Sequence, residues 1–261
     1  MNYWTDLSIQ FANQRNYLDE LFKIYPTIPE GIREVDESKW ENIQEAFRAR
    51  NDVELMKNLL TLELFPIKDS YVAYLKRDVT ASERNPETVN RLCGRLYDMG
   101  LDEIFKRSTE PKETNRQIGP LFHRWLRKGT LGLKVLNYSA FEATDENAVL
   151  DGGDAELMRF AKVNLGYDGQ KGLDFLARVH GKYVVGEAKF LTDFGGHQNA
   201  QFEDAKNLLE NKSIKAIKIG ILDGVLYIKG KNKMYTYLTT HPEKHNILSS
   251  LVLREFLYQV S

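Results

Sequence analysis

Asp174, Glu187 and Lys189 fall within one short stretch, Gly172-Leu173-Asp174-Phe175-Leu176-Ala177-Arg178-Val179-His180-Gly181-Lys182-Tyr183-Val184-Val185-Gly186-Glu187-Ala188-Lys189-Phe190. Two carboxylates and an ammonium could hold a divalent cation and a phosphate if they meet in space. The stretch reads as two strands, Leu173 to Val179 and Tyr183 to Phe190. Side chains alternate along a strand. Val185, Glu187 and Lys189 therefore share one face, and Val184, Gly186, Ala188 and Phe190 share the other. In the first strand Leu173, Phe175, Ala177 and Val179 form an apolar face, with Asp174, Leu176 and Arg178 opposite. Gly181-Lys182 fits a two-residue type II′ turn. That turn pairs His180 with Tyr183, Leu176 with Glu187 and Asp174 with Lys189, so all three charged groups lie on one face. A slip of one residue would scatter them, and the apolar opposite face argues against such a slip.

A hard cation such as Mg2+ takes oxygen ligands, commonly one or two carboxylates with water and substrate phosphate. Asp174, Glu187 and the Ala188 backbone carbonyl are the expected ligands. Such an ion polarises a phosphate oxygen and acidifies a bound water. Lys189 would position that water or stabilise charge on the phosphorane. The bland alternative is an exposed sheet face carrying an ion pair, worth at most about 1 kcal/mol. Carboxylate patterns of this kind arise by chance. Here both halves lie on strands whose faces agree.

This hairpin resembles the core of the PD-(D/E)XK nuclease superfamily, type II restriction endonucleases in particular. Asp174 corresponds to the acidic residue that opens the motif, and Glu187-Ala188-Lys189 to its (D/E)XK part. Leu173 stands where a proline is often found. The continuation from Phe190 to Gln201 is also similar to type II restriction enzymes. The likeness is close over about 165–210, looser over 115–230, and does not reach the N-terminal half. It implies an α/β fold, a mixed sheet flanked by helices, behind a mostly helical N-terminal half. It also implies Mg2+-dependent, sequence-specific cleavage of double-stranded DNA that leaves 5′-phosphates, and a cognate DNA methyltransferase. A palindromic site would call for a two-fold homodimer. The family often adds an upstream acidic residue. Glu142, Asp154 and Glu156 are candidates, and each also reads as a surface carboxylate. Two rivals stand beside this reading: a repair or structure-specific nuclease on the same core, and a non-catalytic DNA-binding α/β protein.

The remaining elements must position that hairpin. Residues 1–112 read as a helical region serving DNA binding, dimerisation or scaffolding, and 113–261 as the nuclease core. Apolar spacing predicts helix within Asp6 to Phe22 and Asp52 to Leu64. Ser38-Lys39-Trp40-Glu41 has a capping-box pattern, and Pro86 fits the first turn of a helix running to Met99. Thr114 to Lys128 carries Arg116, His123 and Arg124, and Gly119-Pro120 predicts a late start or a kink there. Arg116 and Arg124 are candidate phosphate contacts. Leu133 to Tyr138 reads as a strand. Ala148 to Gly172 reads as irregular, with a short helix near Ala155 to Lys162. After the catalytic strand, Gly195-Gly196 leads into a helix from about His197 to Glu210. His197, Gln198, Asn199 and Gln201 crowd its start, where a phosphate can bind and where Asn and Gln can read adenine. Asp223-Gly224 predicts a hairpin between Ile214 to Leu222 and Val225 to Lys229. A helix is expected from Asn246 to Tyr258. His123, His180, His241 and His245 read as turn or surface residues.

Composition sets the outer bounds. The formal net charge of −1 means that any DNA contact must come from a local basic cleft. No run of apolar residues is long enough for a membrane span, and the first residues do not read as a secretory signal. Cys93 is the single cysteine, so no internal disulfide can form, and it reads as buried packing. These features fit a cytoplasmic protein. GxGxxG, GxxxxGK[ST] and GxSxG are absent, which disfavours nucleotide-driven enzymes and serine hydrolases.

Overall fold

The computed structural model describes residues 2–27, 33–78, 80–111, 117–240 and 245–260. The chain divides into two compact units, Met1–Ile28 with Thr114–Ser261, and Pro29–Glu113. The first 28 residues thus leave the expected 1–112 region and join the C-terminal unit. Helices α1 (Tyr3–Ala12) and α2 (Tyr17–Ile24) make up most of this segment. Asn16, in the left-handed conformation, separates them, so the apolar spacing across Asp6 to Phe22 belongs to two helices. Both are tied to the sheet. Thr5 Oγ1 donates to the Ile247 carbonyl at 2.8 Å, and Tyr25 Oη donates to Asp223 Oδ2 at 3.0 Å.

The unit at 29–113 is helical: α3 (Glu37–Arg48), α4 (Asp52–Leu60), α5 (Ser70–Arg77), α6 (Ala81–Arg84), α7 (Pro86–Met99) and α8 (Leu101–Ser108). Leu55, Met56, Leu59, Leu92, Leu96 and Ile104 are buried together in its core. Asp36 caps α3 in place of the expected Ser38. Its Oδ1 accepts from Lys39 N–H at 3.1 Å, and Ser38 Oγ donates to the same oxygen. Helix α4 ends at Leu60, short of Leu64. Cys93 is buried, as expected, and burial pushes its thiol pKa up to about 12.

The other unit is built on a sheet. Its strands are β1 (Lys134–Leu136), β2 (Ala148–Leu150), β3 (Phe175–Val179), β4 (Lys182–Leu191), β5 (Ile217–Gly224) and β6 (Asn246–Leu248), and they lie in chain order. β1 and β2 are parallel, β2-β3 and β3-β4 antiparallel, and β4, β5 and β6 parallel. The helices of this unit beyond α2 are α9 (Ile118–Arg127), α10 (Tyr138–Glu142), α11 (Asp154–Asn164), α12 (Gly196–Glu210), α13 (Lys233–Thr240) and α14 (Leu253–Gln259). Helix α9 starts late, as Gly119-Pro120 predicted. Pro120 falls in the first turn, where the backbone N–H has no intrahelical acceptor to lose.

Both faces of the sheet are buried. Val149, Phe175, Ala177, Val184 and Ile219 belong to one core, while Ala148, Leu150, Leu176 and Val185 belong to another with Leu157 and Phe160 of α11. Arg178 is buried on the second face, its guanidinium donating to the Phe141 and Glu146 carbonyls. The face that carries Glu187 and Lys189 is therefore not an open surface.

Three expectations change. The Asp223-Gly224 hairpin does not form. β5 runs parallel to β4, and a 3-10 turn, Val225–Tyr227, follows it. Asp223 is fully buried and accepts from Tyr25 Oη, Ser249 Oγ and Ser250 Oγ, partners that an exposed turn could not supply. Ala148–Leu150 is a strand within the segment expected to be irregular. The expected helix 246–258 is instead β6, a 3-10 turn and α14. Among the described residues, no helix is long and apolar enough to cross a membrane.

The Asp223 carboxylate joins α2, β5 and the segment after β6. Burial pushes its pKa up, and the hydroxyl donors act against that shift. Asp223→Ala would leave three buried hydroxyls without their acceptor. We expect a loss of about 3 kcal/mol of unfolding free energy in urea titration, since each orphaned buried group costs roughly 1–3 kcal/mol. A loss within error of zero would contradict this anchoring role.

Candidate active site

The β3-β4 hairpin closes one step earlier than its sequence implied. Val179 pairs with Lys182, Arg178 with Tyr183 and Leu176 with Val185. The loop is His180-Gly181, both with positive φ (50° and 73°), as a type I′ turn requires. Relative to the expected II′ turn, each β3 residue meets a partner two positions earlier on β4. A shift of two preserves the face, so Leu176 still lies on the side of Val185, Glu187 and Lys189.

Asp174 keeps the face that alternation gave it, and its backbone makes an irregular contact there. Phe175 is the register partner of Gly186, yet Asp174 N–H also donates to the Gly186 carbonyl at 3.1 Å. Two residues thus stand against one, the form of a β-bulge. Asp174 Oδ2 accepts from Ala188 N–H at 2.9 Å and from Lys189 Nζ at 2.6 Å. Lys189 Nζ is also 2.7 Å from Glu187 Oε1. The ammonium bridges the two carboxylates.

These groups are well covered. The side chains of Asp174, Lys189 and Glu187 are 16%, 21% and 9% exposed. Burial, then the neighbouring Asp174 carboxylate, raises Glu187 to about pKa 7, against the pull of Lys189 and Lys171. Burial works against the Lys189 charge, but Asp174 and Glu187 more than reverse this and hold its pKa above the ordinary lysine value. Glu187 also lines a cleft of about 270 Å³ with Tyr167, Lys171, Asp204 and Asn207.

Of the upstream acids, Asp154 comes to the site. It opens α11, and its carbonyl accepts from Leu173 N–H at 3.3 Å. Gly172 allows this approach, because a Cβ there would lie 2.4 Å from Asp154 Cβ. Glu156 instead caps α11, accepting from Gly153 N–H at 3.1 Å, and Glu142 sits exposed at the end of α10. His123, expected as a surface or turn residue, lies half-buried on α9. Its Nε2 is 3.7 Å from Asp154 Oδ1, and ligand atoms of His123, Asp154 and Asp174 all lie within 4.8 Å of one another. These three come from α9, α11 and the edge of β3, so no spacing along the chain could announce them.

The expected DNA contacts disperse. Gln198 is buried, its amide oxygen accepting from Thr192 N–H and its nitrogen donating to Thr192 Oγ1, both at 3.3 Å. It holds the loop after β4 to α12 and does not present an amide to a partner. Asn199 Nδ2 donates to the Phe194 carbonyl, and His197 Nε2 lies 3.3 Å from Gln201 Nε2 at an exposed position. Arg124 is exposed on α9. Arg116 and His241 lie outside the described residues.

Glu187 has a consequence for stability. Its folded pKa of about 7 exceeds the ordinary 4.5, so folding favours the protonated form. That contribution is present below about pH 4.5 and is lost as pH rises through about 7. In EDTA, the unfolding free energy of the native sequence should fall from pH 5 to 8 more steeply than that of Glu187→Gln. Parallel slopes would mean that Glu187 does not titrate in this range.

Comparison with known proteins supplies the last piece. The family model described as Tsp45I type II restriction enzyme matches residues 2–260. No curated protein and no solved structure matches the chain. Restriction enzymes of type II bind DNA and cut it at specific sequences, generally with a divalent metal, and the mixed sheet flanked by helices is consistent with their fold. With a match over nearly its whole length, the chain belongs to the Tsp45I type II restriction enzyme family and is a site-specific deoxyribonuclease.

Proposed function

We propose that this enzyme hydrolyses both strands of a short duplex DNA sequence with Mg2+, leaving 5′-phosphates, and that Asp174, Glu187 and Lys189 form its catalytic centre. The observation that carries this reading is the Lys189 ammonium held 2.6 Å from Asp174 Oδ2 and 2.7 Å from Glu187 Oε1 on a covered face of the sheet. The unit formed by 1–28 and 114–261 is the nuclease core in this proposal.

The donor set suits a hard cation. The carboxylates of Asp174, Glu187 and Asp154 and the Ala188 carbonyl are oxygen donors, and the contact at Gly172 leaves Asp154 close to Asp174. When bound, Mg2+ supplies Lewis-acid polarisation of the phosphate and a more acidic water. The protein's groups do the rest. Lys189 Nζ turns from its carboxylate partners to the attacking water or to a non-bridging phosphate oxygen, where charge develops. Burial of the three side chains keeps bulk solvent from screening that charge. The water oxygen forms the new bond to phosphorus as the P–O3′ bond breaks. The proton released by the water passes to solvent, and the departing O3′ takes one up, so the phosphate stays on the 5′ side.

Duplex DNA would meet the loop and helix that follow β4. His197, Asn199, Gln201 and Arg124 are the proposed contacts, and Gln198 braces that loop. A second copy of the chain would complete a two-fold assembly on a palindromic site, and a cognate methyltransferase would protect host DNA in the cytoplasm.

The direct test is a gel of long duplex DNA incubated with the protein in Mg2+ and in EDTA. Discrete fragments only with Mg2+, with ends that ligate without added kinase, are expected. A smear would point to a repair-type nuclease, and intact DNA in both lanes, methylated or not, would remove the catalytic reading. Lys189→Ala should lower the cleavage rate at least about 100-fold, the scale of losing one transition-state donor, while specific binding in Ca2+ persists in a mobility-shift assay. Normal cutting by this variant would take the lysine out of the mechanism. Ca2+ alone should support binding without cleavage, so cutting in Ca2+ at the Mg2+ rate would count against a positioned metal-bound water.

A further inference from the structure

We propose that His123 Nε2 is a direct ligand of the metal centre, beside Asp154 and Asp174, and that it makes the centre favour a first-row transition ion such as Co2+ over Mg2+. The inference rests on the reading that Asp174 binds the catalytic cation. It goes further by adding a nitrogen donor from a helix outside the catalytic hairpin.

Geometry carries the case. His123 Nε2 and Asp154 Oδ1 are 3.7 Å apart, too far for a hydrogen bond. Neighbouring ligands of an octahedral ion, each about 2.1 Å from it, are about 3 Å apart, and opposite ones about 4.2 Å. The His123–Asp154 distance lies between these, and all three donor atoms fit within 4.8 Å of one another. Both hydrogen bonds to Asp174 fall on Oδ2, which leaves Oδ1 to a further partner.

His123 is held by its surroundings, whereas the Asp154 carboxylate is 64% exposed and only its backbone and Cβ are fixed against the strand. The His123 side chain is only 18% exposed, with its ring edge-on to Phe122. Arg127, one turn along α9, pairs with Asp151 at 2.8 Å and so ties that helix to the segment preceding α11. Gly172 provides the room that brings Asp154 against the strand, since any Cβ at that position would overlap it. Lys189 bridges Asp174 and Glu187. Asp174 is common to both groups: it lies beside Asp154 and His123 and also accepts from the Lys189 ammonium.

The chemistry then predicts selectivity. Carboxylates and water suit Mg2+, whereas imidazole suits later first-row ions, whose affinity rises along the series. Mg2+ would draw mainly on the oxygen donors. Co2+ gains a direct Co–N bond.

Titration calorimetry of the metal-free full-length protein with CoCl2 and with MgCl2 tests this without reference to cleavage. His123→Ala and His123→Gln should each weaken Co2+ binding by roughly 30-fold or more, at least the scale of losing a supporting metal contact, and Mg2+ binding by less than about 3-fold. Unchanged Co2+ affinity, or an equal loss for both ions, would overturn direct ligation. Asp174→Ala separates the two levels. If Asp174→Ala abolishes binding of both ions while the His123 variants match the native protein, the catalytic metal site stands and His123 is not a ligand. If Asp174→Ala leaves binding intact, the metal site itself is wrong and this inference falls with it. A nitrogen coupling in the electron-spin-echo spectrum of the Mn2+-loaded protein, lost in His123→Gln, gives a second readout. Its absence from the native protein would count against a bond to His123.

Discussion

An ammonium ion shared by two carboxylates on a covered face of a sheet is the constraint around which this enzyme is arranged. Lys189 meets Asp174 Oδ2 and Glu187 Oε1 while all three side chains are largely withdrawn from water. Taking such charges out of solvent is costly unless each finds a partner. Each carboxylate therefore depends on the lysine, and the lysine on both. Glu187, the most buried of the three, shows the strain as a pKa near neutrality. The same low exposure that makes the cluster expensive strengthens its field, which is what the proposed action on a phosphate requires.

The fold supplies the rigidity that this cluster needs. β4 is central, paired with β3 on one side and β5 on the other, and apolar cores press on both faces of the sheet. At a bulge of Asp174 and Phe175 the aspartate meets the β4 backbone. Helix α11 brings Asp154 alongside through the space at Gly172, and α9 brings His123. At the C-terminal end of β5, one register step past Lys189, buried Asp223 gathers hydroxyls from Tyr25 after α2 and from the segment after β6. That knot explains why residues 1–28 belong to the catalytic unit although most of the helical region that follows them does not.

The errors of the sequence reading have a common cause. Asp-Gly is a strong hairpin signal in a chain free to choose, but Asp223 is claimed by Tyr25, Ser249 and Ser250, and β5 runs on beside β4 instead. Ala148–Leu150 is too short to show a period, and it becomes a strand only because β1 and β3 flank it. Gln198 looked like a base reader from its place at a helix start, yet its amide is used to hold Thr192. His123 had no metal-ligand spacing to reveal it, since its neighbours are 31 and 51 positions away in the chain (Asp154 and Asp174).

The chain by itself determined the chemistry-bearing pair of strands, the residues that share their polar face and the helical texture of the first half. Period-two alternation is a local property, and it survives a hairpin closing one step away from the expected turn, because a shift of two residues leaves every side chain on its original face. Only tertiary structure decided what surrounds that face. The bulge at Asp174, the approach of Asp154 and His123, and the parallel course of β5 all depend on contacts between segments distant in sequence. Such contacts are set by which groups can be buried and paired together, and no local pattern encodes them.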